Sequence, residues 1–405
     1  MMRVVNINNL TDIEGLMKQL KVDSYGIQIM APKACRYLIK IDRLSPINAN
    51  ILKQEMLSLG GDLALPRDAL TGKLKHTDCL LIGNLSQLGR LAQKLKIQPF
   101  GLAKISDELN ITLSNHLRST FQIKACSFRI KITDKPIIMG ILNLTPDSFS
   151  SDGLYKGKKT GIKNIDLDKI INRAQGLIKD GAGIIDIGGE STRPGAKPVS
   201  LSEELKRTIP VIKLLAKRIK VPISIDTHKP QVAKQALDNG AVIVNDITGL
   251  KDSKMRKIVA AHRAASIIMH MQGNPLNMQN NPEYKSVIDD IAGFLNNRIK
   301  EALDSGIDKN SIIIDPGIGF GKTVKDNTQI INRLNEFKSL GYPLLIGPSR
   351  KSFIGKLLNN APPQARLNGT ISACILGFKN GANIFRVHDV KQVCESIKVA
   401  EAILN

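Results

Sequence analysis

The sequence contains no tryptophan, and aromatic residues make up only 4% of its 405 positions. Aromatic platforms for stacking single-stranded nucleic acid are therefore poorly supplied, and no zinc-finger, helix-turn-helix or RNA-binding signature is present. Cysteine is sparse: Cys35, Cys79, Cys126, Cys374 and Cys394 form no CxxC pair. This excludes a zinc ribbon or disulfide framework and reads as reduced thiols in a cytoplasmic protein. No apolar run reaches the roughly 18 residues of a membrane span. The opening MMRVVNINNL lacks the apolar stretch and cleavage site of a secretory leader. Acidic residues are also short, 36 against 58 Lys and Arg, for a net charge of +22. Nucleic acid is the sharp reading of that excess. With stacking residues and motifs missing, and the excess spread over both halves, a Lys-rich surface and small phosphorylated ligands explain it better. No nucleic-acid or membrane partner is expected.

Hydrophobic residues at 42% and charged residues at 23% are enough for an ordinary core. Residues 126–405 follow a rhythm absent from 1–125. Short Ile- and Val-rich runs recur, each followed by a Gly, Asn, Asp or Ser cluster and then an amphipathic segment. They predict strands at 137–142, 184–187, 222–225, 242–244, 266–269, 312–314, 344–346 and 384–387. Continuous apolar strands alternating with helices imply a parallel sheet buried on both faces. The predicted fold is an α/β (β/α)8 TIM barrel preceded by a small α/β domain, with an open doubly wound sheet as the alternative. Phe128–Lys131 reads as a short strand plugging the barrel's N-terminal end.

Residues 1–125 read as that separate small domain. Strands are expected at 37–41 and 79–83, and helices from Ser45-Pro46 to Leu59, at 87–95 and after Gly101. No catalytic constellation is evident there, and His76 and His116 stand alone.

In the barrel region, polar residues gather at the strand ends: Asn143, Asp186, Asp226, Asn245-Asp246, His270, Asp315, Ser349-Arg350-Lys351, and Arg386 with His388. In a closed barrel these converge on the C-terminal mouth, where active sites of this fold lie. Carboxylates and an amide suit a donor-rich heterocycle, and the cations suit phosphate oxygens. Asn143, with waters and phosphate oxygens, suits magnesium. GIGFGKT at 317–323 looks like a P-loop, but Pro316 stands where its first glycine belongs. Gly317, Gly319 and Gly321 instead suggest backbone passing close to a flat ligand beside Phe320.

The blocks MGILNLTPDSFS, DIGGESTRPGA, ISIDTHKP, IVNDITG, MHMQGNP, DPGIGFGKT, GPSRKSFIG and FRVHDV resemble, in order and spacing, the dihydropteroate synthase family. The resemblance covers 126–405 and implies condensation of p-aminobenzoate with 6-hydroxymethyl-7,8-dihydropterin diphosphate. It implies pterin contacts from Asp226, Asn245, Met269, Asp315, Phe320, Gly347 and Lys351, and diphosphate contacts from Thr192, Arg193, Arg386 and His388. Phe149, Thr192, Pro194, Ser349 and Lys351 would meet p-aminobenzoate, and Asn143 would hold Mg2+. Lys351, Asp226, Asp315 and Arg386 would be the catalytic set of an SN1-like displacement, in a homodimer that sulfonamides inhibit. A pterin-dependent methyltransferase would share the pterin contacts but has no use for Arg193, Lys351, Arg386 and His388. A basic, inactive binding module is the remaining alternative.

Overall fold

The computed structural model describes residues 1–405 except 6, 8, 72, 146–166, 192–194 and 405. These fall into two units, Met1–Ser114 and Asn115–Asn405.

The first unit holds a three-stranded antiparallel sheet of β1 (Arg36–Leu44), β2 (Asp62–Ala64) and β3 (Thr77–Asn84), ordered β1-β3-β2. Alternate residues of β3 are buried, so Cys79 and Leu81 meet Leu52, Met56, Leu88 and Leu91 from the helices behind. The helix Pro46–Ser58 starts as its sequence dictates, with the Ser45 hydroxyl accepting from Asn48 N and Pro46 in the first turn. Asn84 and Gln87 cap the helix Leu85–Leu95 reciprocally. Two helices that periodicity does not reveal, Leu10–Gln19 and Ser24–Ala34, precede the sheet.

In the second unit, β4 (Phe121–Ala125) and β5 (Phe128–Ile132) form a hairpin. Eight parallel strands follow: β6 (Ile137–Asn143), β7 (Ile184–Gly188), β8 (Ile223–Asp226), β9 (Ile243–Asp246), β10 (Ala265–Met269), β11 (Ile312–Asp315), β12 (Leu345–Ile346) and β13 (Ile384–Val387). Their order is β11-β10-β9-β8-β7-β6-β13-β12. A parallel bridge from Ile314 to Leu344 joins the two ends, which closes the barrel and removes the open-sheet alternative. The predicted domain boundary at 125/126 moves to Ser114/Asn115. The cause is the hairpin: Ile123, Ala125 and Ile132 are buried with Met139, Ile184, Ile243, Ile313 and Ile384 inside the barrel floor. β4 thus belongs to the barrel, and β5 plugs it only as half of a pair.

Strand alternation sorts the interior. Ile184, Ile243, Ile267, Ile313, Leu345 and Ile384 point inward in one apolar layer. Two residues further along each strand, on the same face, come Asp186, Asn245, Met269, Asp315, Gly347 and Arg386. The outward alternates, such as Ile187, Ile225, Val244, Ile314 and Phe385, pack against the helices.

Candidate active site

The upper layer surrounds a cavity of about 330 Å³ at the C-terminal mouth, lined by Asn143, Asp226, Phe320, Gly347, Ser349, Lys351, Arg386 and His388 among others. Its electrostatic centre is Arg386. Nε donates to Asp186 Oδ2 and Nη2 to Asp226 Oδ2, both at 2.6 Å. Asn245 Nδ2 also donates to Asp186 Oδ2, at 3.4 Å. The second oxygens, Asp186 Oδ1 and Asp226 Oδ1, are buried without a partner among the described residues. Such atoms are costly unless a ligand or water meets them. Burial raises the Asp226 carboxyl to about 7, with Arg386 and Lys351 opposing and Asp186 and Glu204 adding to the rise.

Asp315 sits beneath the wall made by the Gly317–Gly321 loop. Burial raises its carboxyl to about 6, against a hydrogen bond from Gly317 N to Oδ1 (2.7 Å) and the charges of Lys351, Lys322 and Arg386. Phe320 lines the cavity and packs with Met269. Lys351 Nζ lies 3.9 Å from the Phe320 ring centroid, a cation–π contact. The three glycines serve the protein more than a ligand. A Cβ at Gly317 would meet His270 O at 1.9 Å and one at Gly321 would meet Gln272 O at 2.5 Å. Only Gly319 gives way to a cavity residue, Lys351. All three have positive φ.

After β12 and β13, the Ser349 hydroxyl and His388 Nδ1 are 3.1 Å apart, and His388 N donates to Ser349 Oγ. Arg350 pairs with Asp389 through Nε and Nη2. Gly188 leaves open the space between two hard oxygens: a Cβ there would lie 3.5 Å from Asn143 Oδ1 and 3.8 Å from Asp226 Oδ2. No group of three His, Cys, Asp or Glu residues is arranged to hold a metal among the described residues. The donors here suit a hard ion that keeps most of its shell from water and phosphate.

Of the residues anticipated for the site, Asn245, Met269 and Asp315 are buried just behind the cavity lining. Thr192, Arg193, Pro194 and Phe149 lie outside the described residues. Two strand-end residues serve the framework instead. Asp246 accepts from Thr248 N, Thr248 Oγ1 and Leu250 N, and His270 is buried against Lys322. Glu190 was not anticipated, yet it lines the cavity. Lys229 joins it to Glu204, which also accepts from Thr227 Oγ1 at 2.7 Å. The signal lay in the GGES and DTHK blocks, and the parallel pairing of β7 with β8 brings them together.

A closed parallel barrel whose mouth combines buried carboxylates, an arginine and a lysine over an aromatic ring defines a barrel enzyme for a polar, anionic ligand. The pterin binding enzyme family matches residues 139–388. The dihydropteroate synthase of Synechocystis sp. is 46% identical over 267 residues, covering 66% of this chain and 89% of that protein. A probable bifunctional folylpolyglutamate synthase/dihydropteroate synthase of Halobacterium salinarum is 35% identical over 401 residues, 98% of this chain and 46% of that protein. The solved Yersinia pestis dihydropteroate synthase, in complex with a sulfonamide drug, superimposes with a TM-score of 0.65 at 40% identity, over 70% of this chain and 99% of that one. The chain belongs to the pterin-binding enzymes and, among them, to the dihydropteroate synthases.

Proposed function

We propose that this chain makes 7,8-dihydropteroate for folate synthesis by an SN1-like displacement of pyrophosphate from 6-hydroxymethyl-7,8-dihydropterin diphosphate by p-aminobenzoate. The observation that carries the reading is the bridge from Arg386 to the buried Asp186 and Asp226 inside one cavity with Lys351 and Phe320. Asp226, Asn245 and Asp315 accept from and donate to the edge of the pterin, with Met269, Phe320, Gly347 and Lys351 around its ring. Arg386 and His388, with Thr192 and Arg193, hold the diphosphate. Ser349 and Lys351 take the p-aminobenzoate carboxylate, beside Phe149 and Pro194.

The methylene C–O bond breaks first, and pyrophosphate leaves with the electron pair. Arg386 stabilises that growing negative charge. The cation left behind is delocalised into the electron-rich pterin, where Asp226 and Asp315 oppose its charge. The neutral amine of p-aminobenzoate then attacks the methylene carbon and releases a proton, so no protein nucleophile is required. Asn143 is the residue that would hold Mg2+, and the bound ion would supply further neutralisation of the leaving diphosphate.

No helix among the described residues is long and apolar enough to cross a membrane. We place the enzyme in the cytoplasm, where its five free cysteines stay reduced. We also propose a homodimer covering the exposed Leu376, Val399 and Ile403 of two neighbouring helices, Leu367–Lys379 and Val390–Leu404. The deciding assay combines purified protein, pterin diphosphate, Mg2+ and radiolabelled p-aminobenzoate. Labelled dihydropteroate is expected; none, beside a working control enzyme, overturns the proposal. Sulfonamides are expected to compete with p-aminobenzoate, raising its KM at constant kcat. A purely noncompetitive pattern would place them elsewhere.

A further inference from the structure

Lys322 stands where a P-loop would carry its phosphate-binding lysine, but its side chain turns into the protein and the residue is only 3% exposed. Its three N–H groups find three acceptors: His270 Nδ1 at 2.9 Å, Phe320 O at 3.0 Å and His270 O at 3.4 Å. No carboxylate lies within ion-pair distance among the described residues. Burial lowers this amine to about 7, with the charge of Asp315 opposing. A buried amine without a direct ion pair is an expensive way to fasten a loop, so the place it fastens matters.

Other side chains hold the neighbouring glycines. Asn327 Oδ1 accepts from Gly319 N (2.6 Å), Gln279 Nε2 donates to Gly319 O (2.9 Å), and the Tyr284 hydroxyl donates to Gly321 O (2.6 Å). Lys322 holds the carbonyl of Phe320, the one residue of the Gly317–Gly321 stretch whose ring lines the cavity and lies under Lys351. His270 is itself braced edge-on by Phe294, with ring centroids 4.9 Å apart. Burial, with the Lys322 charge adding to it, lowers the imidazole to about 2, which keeps His270 a neutral acceptor.

We propose that Lys322 is a positioning residue of the pterin pocket, tying the Phe320 carbonyl to the end of β10 so that the Phe320 ring and Lys351 present one preset wall to the pterin. This rests on the pterin assignment above. Lys322 touches no substrate; because its charge also opposes the rise of the Asp315 carboxyl, the His270 variants, which leave that charge in place, separate positioning of the Phe320 ring from electrostatics.

The test measures KM for each substrate, kcat and melting temperature in Lys322→Met, His270→Leu and His270→Gln. Lys322→Met keeps the side-chain volume but loses all three donors. It is expected to raise KM for the pterin diphosphate about tenfold, the usual scale for a charged hydrogen bond, with KM for p-aminobenzoate within about twofold. His270→Leu should move the pterin KM the same way by about threefold. His270→Gln, which restores an acceptor, should return it toward the parent value. An unchanged pterin KM in Lys322→Met overturns the inference. Equal rises in both KM values, tracking a fall in melting temperature, overturn it too, because they mark general loosening. If Lys322→Met does not fold, the His270→Leu and His270→Gln pair decides by the same criteria. Failure of the parent enzyme to make dihydropteroate is a separate result, which removes the assignment of function.

Discussion

At Arg386 one guanidinium meets two buried carboxylates through different nitrogens. Lysine keeps the charge but has no planar fork to reach both. Arg386→Lys is therefore expected to lower kcat/KM about a hundredfold, since one carboxylate is left buried and unmatched; steady-state kinetics with saturating p-aminobenzoate would measure it. Asp315 illustrates a conflict between stability and binding. Its folded value, about 6, lies above the ordinary 3.8. The folded protein holds this proton more tightly than the unfolded chain, so the stability it contributes is full below pH 4 and is lost as pH rises through about 6. Asp315→Asn keeps the acceptor for Gly317 N and should melt several degrees higher than the parent at pH 8, with no difference below pH 4. Its pterin KM should rise at least tenfold. Because Asp226 shifts in the same direction, to about 7, kcat/KM for the pterin diphosphate should fall on acidification between about pH 7 and 6. A pH profile flat through that window would remove both carboxylates from pterin binding.

The Gly317–Gly321 loop shows what an element demands of its sequence. Gly317 has φ +72°, and any Cβ would press on the His270 carbonyl. Gly317→Ala should cost several kcal/mol and also raise the pterin KM, because relief of the clash carries Phe320 away; thermal melts and kinetics would show both. The barrel strands were legible because strands covered on both faces read as unbroken apolar runs. Their polar ends were legible too, since chemistry-bearing residues followed nearly every run. The helix Leu367–Lys379 was not, because it has little polar contrast around its axis. Side-chain direction was also hidden. Nothing in GIGFGKT indicates that Lys322 points inward, and Asp246 and Asn245 look equally available until strand parity separates them. The Glu190–Lys229–Glu204 cluster joins residues far apart in the chain, which local spacing cannot link.

For the whole molecule, the two possible N-terminal cuts give different outcomes. A chain starting at Asn115 retains the hairpin and should keep the barrel's melting temperature and its synthase activity. One starting at Cys126 loses β4 and uncovers the floor that Ile123 and Ala125 seal, and should be destabilised by about 2–4 kcal/mol. Denaturant unfolding of both chains, followed by activity assays, would test this. The first unit has a counterpart in the Halobacterium salinarum relative, whose match extends over 98% of the chain. The inward column of Asp186, Asn245, Asp315 and Arg386 has a further consequence for how this protein can diverge. Deleting one residue within a barrel strand would turn that strand's polar member toward the helices and bring an outward neighbour such as Ile187, Val244, Ile314 or Phe385 into the mouth. Strand interiors therefore tolerate change only by replacement, one position at a time, whereas length variation is confined to the loops above and below. The site's inheritance is thus written in odd and even positions as much as in residue identity.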